Sequence, residues 1–251
     1  ALIGANVDDV KSVTWTDEAE EGEEAETHTV EVTVKGIKVR NTPELTDELV
    51  KSDFGFDSID AMRDAIKIEI EHLRRLVGDL TILTQVEAGG LDMQIEGIAP
   101  KMLLERIYQV YQPIAAQQGV ELTLDVHDSV PSIRVDEGRM LQVLNNLVEN
   151  ALRYTPSGGL ITLSAEAGEQ VHLRVRDNGA GIDIEDLPYI FERFYKADKA
   201  RGSNAGKMGL GLAICKALVT AMGGTITAES AGRGQGTSMV ISFEPIDQIM
   251  N

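Results

Sequence analysis

Asn146-Leu147-Val148-Glu149-Asn150-Ala151-Leu152-Arg153-Tyr154 sets two asparagines four residues apart within a helical pattern of apolar residues. On a helix, positions 146 and 150 share one face, and Arg153 and Tyr154 follow one turn beyond Asn150. Amide oxygens can ligate magnesium, and a cation beside an aromatic ring can hold a phosphate and a base. Surface asparagines on any amphipathic helix would look the same, so the segment gains meaning only from its surroundings. Asp136 is placed to cap this helix, which the pattern carries to about Tyr154.

Downstream, strands are expected at 160–165 and 171–176, and the second runs into Asp177-Asn178-Gly179-Ala180-Gly181-Ile182. Glycines there permit close approaches that a β-carbon would block, and Asp177 could accept a hydrogen bond from an exocyclic amine. An ordinary surface turn has the same composition. A short helix near 184–194 and a polar stretch over 196–208 come next. Gly206-Lys207-Met208-Gly209-Leu210-Gly211-Leu212 then leads into a helix over 210–222. Free amides at a helix start favour an anion, although Gly-Lys-Ser/Thr of a P-loop is missing. Strands at 224–229 and 237–243 end the pattern, the last opened by Gly234-Gln235-Gly236-Thr237.

Upstream, a helix is expected over 100–118 and a strand over Glu121–Val126. A long helix over 58–88 carries Ile59, Met62, Ile66, Ile70, Leu73, Leu76, Val77, Leu80 and Leu83 at spacings of three and four. That stripe wants a partner helix, and Gly89-Gly90 ends it. Thr42-Pro43-Glu44 reads as another helix start. Val10–Thr16 and Thr27–Arg40 read as strands, the second alternating Val30, Val32 and Val34 with polar residues as a half-buried strand would. A hairpin with an acidic tip follows. Strands and helices mixed in this order predict an α+β fold, a sandwich with helices on one face of a sheet.

The 251 residues suit one large or two small domains, with 43% hydrophobic and 25% charged residues. The net charge of −18 argues against a nucleic-acid or anionic-membrane partner, which would need a positive face. Residues 1–57 hold 15 acidic and 5 basic groups, over half of the excess. The densest run, Asp17 to Glu26, reads as a solvated loop. The single Cys215 excludes an internal disulfide and is most simply a buried core thiol. No apolar run approaches the roughly 18 residues of a membrane helix, so a soluble, cytoplasmic piece is expected.

Taken together, these segments resemble the ATP-binding catalytic domain of sensor histidine kinases of two-component systems. That domain belongs to the GHKL class, with gyrase, mismatch-repair and heat-shock chaperone ATPases. The resemblance covers about residues 72–245. It rests on NLVENALRYTP (146–156), DNGAGI (177–182), FERFY (191–195), GLGLAI (209–214) and GQGT (234–237) in the family's order. RLVGDL…VEAGGL, over 75–91, is similar to the second helix of the family's dimerisation hairpin. The implied fold is a two-layer α/β sandwich of the Bergerat type. It would be preceded by a long dimerisation helix (58–90) and a small acidic β-containing segment (1–57), with the catalytic domain over 91–251.

The resemblance also implies roles. Asn150 would ligate the magnesium that bridges the phosphates of ATP, and Asn146 would support it. Arg153 would contact phosphate, Tyr154 would line the adenine pocket and Asp177 would bond the adenine amine. Gly179, Gly181 and Ile182 would shape that wall. Phe194, Lys196 and Lys207 would meet the nucleotide around a lid over 196–208, followed by Gly209, Leu210, Gly211 and Leu212, and Gly236 with Thr237 would close the adenine side. ATPase branches of the class carry a glutamate where Asn146 stands. An amide is a poor base, which favours phosphoryl transfer over hydrolysis. Glu149 is a weaker base candidate, about 100° round the helix from Asn150. Asn146, Glu149 and Arg153 are thus the candidate catalytic residues.

A response regulator and a homodimer through helix 58–88 are the implied partners. The family also implies a His-Glu-x-x-x-Pro phosphoacceptor on a preceding helix, and none of His28, His72, His127 and His172 has that setting. Two alternatives follow: a nucleotide-binding pseudokinase or scaffold, and a serine kinase or ATPase of the same class.

Overall fold

The computed structural model describes residues 2–16, 26–38, 44–195 and 209–246. The chain divides into two compact units, residues 1–65 and 66–251.

In the first unit, β1 (Val10–Thr16) and β2 (Thr27–Thr33) form an antiparallel hairpin. Thr14 faces Thr29, their hydroxyls 3.0 Å apart, and Trp15 faces His28 with ring centroids 5.4 Å apart. The alternating valines predict a covered face, but no described residue of the hairpin is buried, and Val30 is 43% exposed. A two-stranded ribbon carries alternation without a second layer to use it. The strand ends at Thr33 rather than Arg40. Most of the acidic tip, like Thr42 and Pro43, lies outside the described residues. Helix α1 (Asp47–Phe54) is instead capped by Thr46, whose hydroxyl accepts from the Leu49 N–H, and is stopped by Gly55 at φ 75°.

Helix α2 (Ile59–Glu87) starts in the first unit and continues in the second. It ends in a Schellman turn: the Gly90 N–H bonds the Gln85 carbonyl and the Gly89 N–H that of Val86. Its apolar stripe is divided. Leu76 and Leu83 are buried, whereas Ile66, Ile70, Leu73, Val77 and Leu80 are 44–65% exposed.

The rest of the second unit is a sheet with helices over one face. Its elements are β3 (Glu96–Ile98), α3 (Pro100–Gln117), β4 (Glu121–Val126), β5 (Ile133–Val135), α4 (Glu137–Tyr154), β6 (Leu160–Ala167), β7 (Val171–Asp177), α5 (Gly211–Ala221), β8 (Thr225–Glu229) and β9 (Thr237–Phe243). The five-stranded sheet runs β4-β6-β7-β9-β8, with β4 and β6 parallel and the other pairs antiparallel; β3 and β5 make a separate small ladder. Ile161, Leu163, Val171, Leu173, Ile241 and Phe243 alternate along their strands onto the core face. There they meet Leu103, Leu104 and Ile107 of α3, Leu144 and Leu147 of α4, and Ile214 and Leu218 of α5. This is the expected two-layer α/β sandwich. Between 184 and 194 the expected helix is a chain of turns, with N–H bonds three residues back from Asp186, Tyr189, Glu192 and Tyr195. Pro188 has no N–H to give a helix there.

Candidate functional site

Three segments converge where the core face of the sheet meets the end of α4. Asp136 caps α4, its carboxylate accepting the Arg139 N–H at 2.9 Å, and so fixes the helix phase. The phase buries Val143, Leu144, Leu147, Val148 and Ala151. It leaves Asn146, Asn150, Arg153 and Tyr154 beside a cavity of about 380 Å³.

The second segment is the end of β7. Val171, Leu173 and Val175 are buried, and the two-residue period carries Asp177 onto the same face, 8% exposed. Its Oδ1 accepts the Gly179 N–H at 2.9 Å and the Thr237 N–H at 3.2 Å. Burial pushes the carboxyl up from its usual range, and the two backbone bonds oppose the rise. Oδ2 has no partner among the described residues, and Asp177 lines the cavity. The loop that follows is pinned to α4 by the Ala180 N–H on the Tyr154 carbonyl, 2.9 Å. A β-carbon on Gly179 would lie 2.2 Å from that same carbonyl oxygen, so only glycine lets the loop approach.

The third segment is the β8–β9 loop, laced to the β7 loop. The Gly234 N–H donates to the Ala180 carbonyl at 2.6 Å and the Gly236 N–H to that of Gly179 at 3.2 Å. The Ser230 hydroxyl accepts from the Ile182 N–H and donates to the Gly236 carbonyl. Gly181, at φ 67°, leaves room for the Gly232 carbonyl, 2.1 Å from where its β-carbon would stand. Gly209, Gly211 and Leu212 at the start of α5 complete the wall, and the Asn146 amide oxygen faces Gly211.

Most sequence-derived candidates therefore meet in one cavity: Asn146, Asn150, Arg153, Tyr154, Asp177, Gly181, Ile182, Gly209, Gly211, Leu212 and Thr237. Gly179 stands behind the wall. Three expectations change. Leu210 is 2% exposed and belongs to the core. Phe194 is 56% exposed with φ 63°, a turn that points it outward, and its neighbour Tyr195 lines the cavity instead. Glu149 is outside the lining; its carboxylate accepts the Tyr111 hydroxyl on α3 at 3.4 Å, and burial beside that carboxylate pushes Tyr111 up to about 12. Lys196 and Lys207 lie outside the described residues.

The sequence reading missed Asp183, Asp186, Tyr195 and Arg233, which also line the cavity. Arg233 Nε donates to Asp183 Oδ2 at 2.6 Å, and the Tyr195 hydroxyl donates to Asp186 Oδ1. That carboxylate holds the Tyr195 phenol up at about 12. The carboxylates Asp183 and Asp186 just past the second glycine were the available signal; nothing local pointed to Arg233.

Residues 135–246 match the family model of histidine kinase-, DNA gyrase B- and HSP90-like ATPases. The chain is 35% identical over 178 residues to the sensor histidine kinase WalK of Bacillus subtilis, covering 70% of this chain and 29% of that protein. It is 35% identical over 180 residues to the signal transduction histidine-protein kinase BaeS of Escherichia coli, covering 71% and 38%. It thus spans about a third of the length of these curated relatives. Among solved structures, histidine kinase AdeS of Acinetobacter baumannii aligns with a TM-score of 0.64 at 26% identity, covering 80% of this chain and 92% of that one. Full-length ShkA in complex with AMPPNP aligns at 0.65 and 28%, covering 75% and 40%.

Proposed function

We propose, from the premise that this chain belongs to the histidine kinase-, DNA gyrase B- and HSP90-like ATPases as a histidine kinase ATP-binding domain, that it binds magnesium-ATP in the cavity beside α4 and passes the γ-phosphoryl to a histidine on a partner helix. The observation that carries this reading is the meeting of a buried carboxylate, Asp177, with Asn146, Asn150, Arg153 and the start of α5 around one cavity. ShkA, solved with an ATP analogue, supports it by likeness.

Asp177 Oδ2 would accept from the adenine amine, while Tyr154 and Ile182 flank the base. Arg153 and the amides at the start of α5 would face the phosphates. The Asn150 amide has no hydrogen-bond partner among the described residues and lines the cavity, which fits an oxygen donor for magnesium. Magnesium needs few protein ligands when phosphates supply others; when bound, it neutralises charge across the phosphates. Asn146 cannot take a proton from water, so the residues present favour holding and orienting over hydrolysis. The exposed stripe Ile66, Ile70, Leu73, Val77, Leu80 would pair two copies. A response regulator would receive the phosphoryl group, and the chain would work in the cytoplasm.

The test incubates the chain with γ-labelled ATP and magnesium, alone and with a helix bearing a His-Glu-x-x-x-Pro segment. Acid-labile label on the added helix is the expected result, abolished by Asn150→Ala. Bound nucleotide without label would point to a scaffold instead. Acid-stable label or free phosphate would point to a serine kinase or an ATPase.

A further inference from the structure

We infer that Arg233 and Asp183 form a clasp across the mouth of the nucleotide cavity, retaining the bound base; the inference rests on the nucleotide reading of that cavity. Asp177, 8% exposed, marks the deep end. Arg233 and Asp183 line the same cavity, yet their side chains are 70% and 38% exposed, which sets them at its opening. A base seated on Asp177 would therefore lie behind their 2.6 Å hydrogen bond.

The two residues are 50 positions apart, on the two loops that form the base end. Each loop is held independently of the pair. Gly234, next to Arg233, is fixed by its N–H on the Ala180 carbonyl. Ile182, next to Asp183, is fixed by its N–H on Ser230. Asp183 itself starts the following turn, its carbonyl accepting the Asp186 and Leu187 N–H groups. With the backbones already laced, the ion pair adds little to the fold. It spans the gap through which the base enters and leaves. The pair also neutralises a cavity carboxylate that would otherwise repel an anionic ligand. Arg233 and Asp183 are thus positioning residues for the ligand rather than catalytic ones.

An exposed ion pair is worth little, so the expected effect is modest and kinetic. The full chain with a ribose-labelled fluorescent ADP and magnesium in stopped flow gives association and dissociation rates directly. Arg233→Ala and Asp183→Asn should each speed dissociation about two- to fivefold, while association slows in Arg233→Ala and does not slow in Asp183→Asn, as the charge left at the mouth repels or attracts the anionic probe. The exchanged pair, Asp183→Arg with Arg233→Asp, should restore slow release. The gap between wild type and single variants should shrink in high salt, where exposed pairs are screened, whereas a purely structural role would lower the melting temperature and leave no such salt effect. Wild type that binds the probe while both single variants release it at the wild-type rate would overturn the clasp alone. Wild type that fails to bind would overturn the nucleotide reading and the clasp with it.

Discussion

Asp177→Asn is the most informative single change, because the structure decides which way the new amide must point. Oδ1 of Asp177 accepts two backbone N–H groups, from Gly179 and Thr237. An amide nitrogen there would face both donors, so the asparagine oxygen takes that position and its NH₂ turns toward the cavity. On the proposed reading, an acceptor for the adenine amine becomes a donor opposite a donor. A hydrogen bond to a charged group is worth about 1.5–3 kcal/mol, so affinity for ATP should fall about 10- to 150-fold. A 6-oxo purine such as ITP offers an oxygen to the new donor, and the preference for ATP over ITP should shrink or reverse. Stability should move the other way. Burial raises the folded-state pKa of Asp177 above its ordinary 3.8, so its ionised form costs stability at neutral pH. That cost is relieved as pH falls through the raised value and is gone below the ordinary one. The variant should therefore melt at or above the wild-type temperature at pH 7, the difference vanishing in acid. Calorimetric titration with ATP and ITP, with melting scans across pH, measures both. ATP affinity within twofold of wild type, or a melting temperature several degrees lower at pH 7, would refute the reasoning.

Gly179→Ala would bring a β-carbon to 2.2 Å from the Tyr154 carbonyl oxygen, so the loop must retreat; a loss of about 1–3 kcal/mol in urea unfolding and weaker nucleotide binding are expected. Ile70→Asp with Val77→Asp places charges on the exposed stripe of α2; if that stripe pairs two copies as proposed, light scattering should report a dimer for the wild type and a monomer for the variant. Glu149→Gln should change phosphoryl transfer less than about twofold, since the carboxylate bonds Tyr111 rather than lining the cavity; a much larger loss in the label-transfer assay would restore it as a base.

The sequence made the site legible wherever position follows from a period. Helix spacing set Asn146 and Asn150 on one face, and strand alternation took Asp177 to the core side of β7. Local chemistry marked the ends: Asp136 caps α4 as its composition demands. What stayed hidden depends on approaches between distant segments. Arg233 meets Asp183 only because two glycine loops, the one after β7 and the one between β8 and β9, close on one another. The three-residue strands β3 and β5 are too short to show a period, and the expected helix near 184–194, which contains Pro188, is a chain of turns. Phe194 and Glu149 show a subtler limit. Each sits one residue from the cavity, and a positive φ in one case and a 100° step round a helix in the other carries the side chain elsewhere.

Those same distant approaches bear on how a chain of net charge −18 would hold the polyanion proposed for it. The cavity wall carries three carboxylates, Asp177, Asp183 and Asp186, against two guanidinium groups, Arg153 and Arg233. Summed, the wall would repel ATP. The carboxylates are not equivalent, however. Arg233 neutralises Asp183. Asp186 is occupied by the Tyr195 hydroxyl. Asp177 is held by two N–H groups at the end where a base, not a phosphate, is expected. Arg153 makes no ion pair among the described residues, so its charge remains available beside the amides at the start of α5. Affinity for a polyanion here would therefore follow from which charges are already spent: adding salt should weaken ATP binding by screening Arg153, whereas net charge alone would have salt strengthen it by screening repulsion.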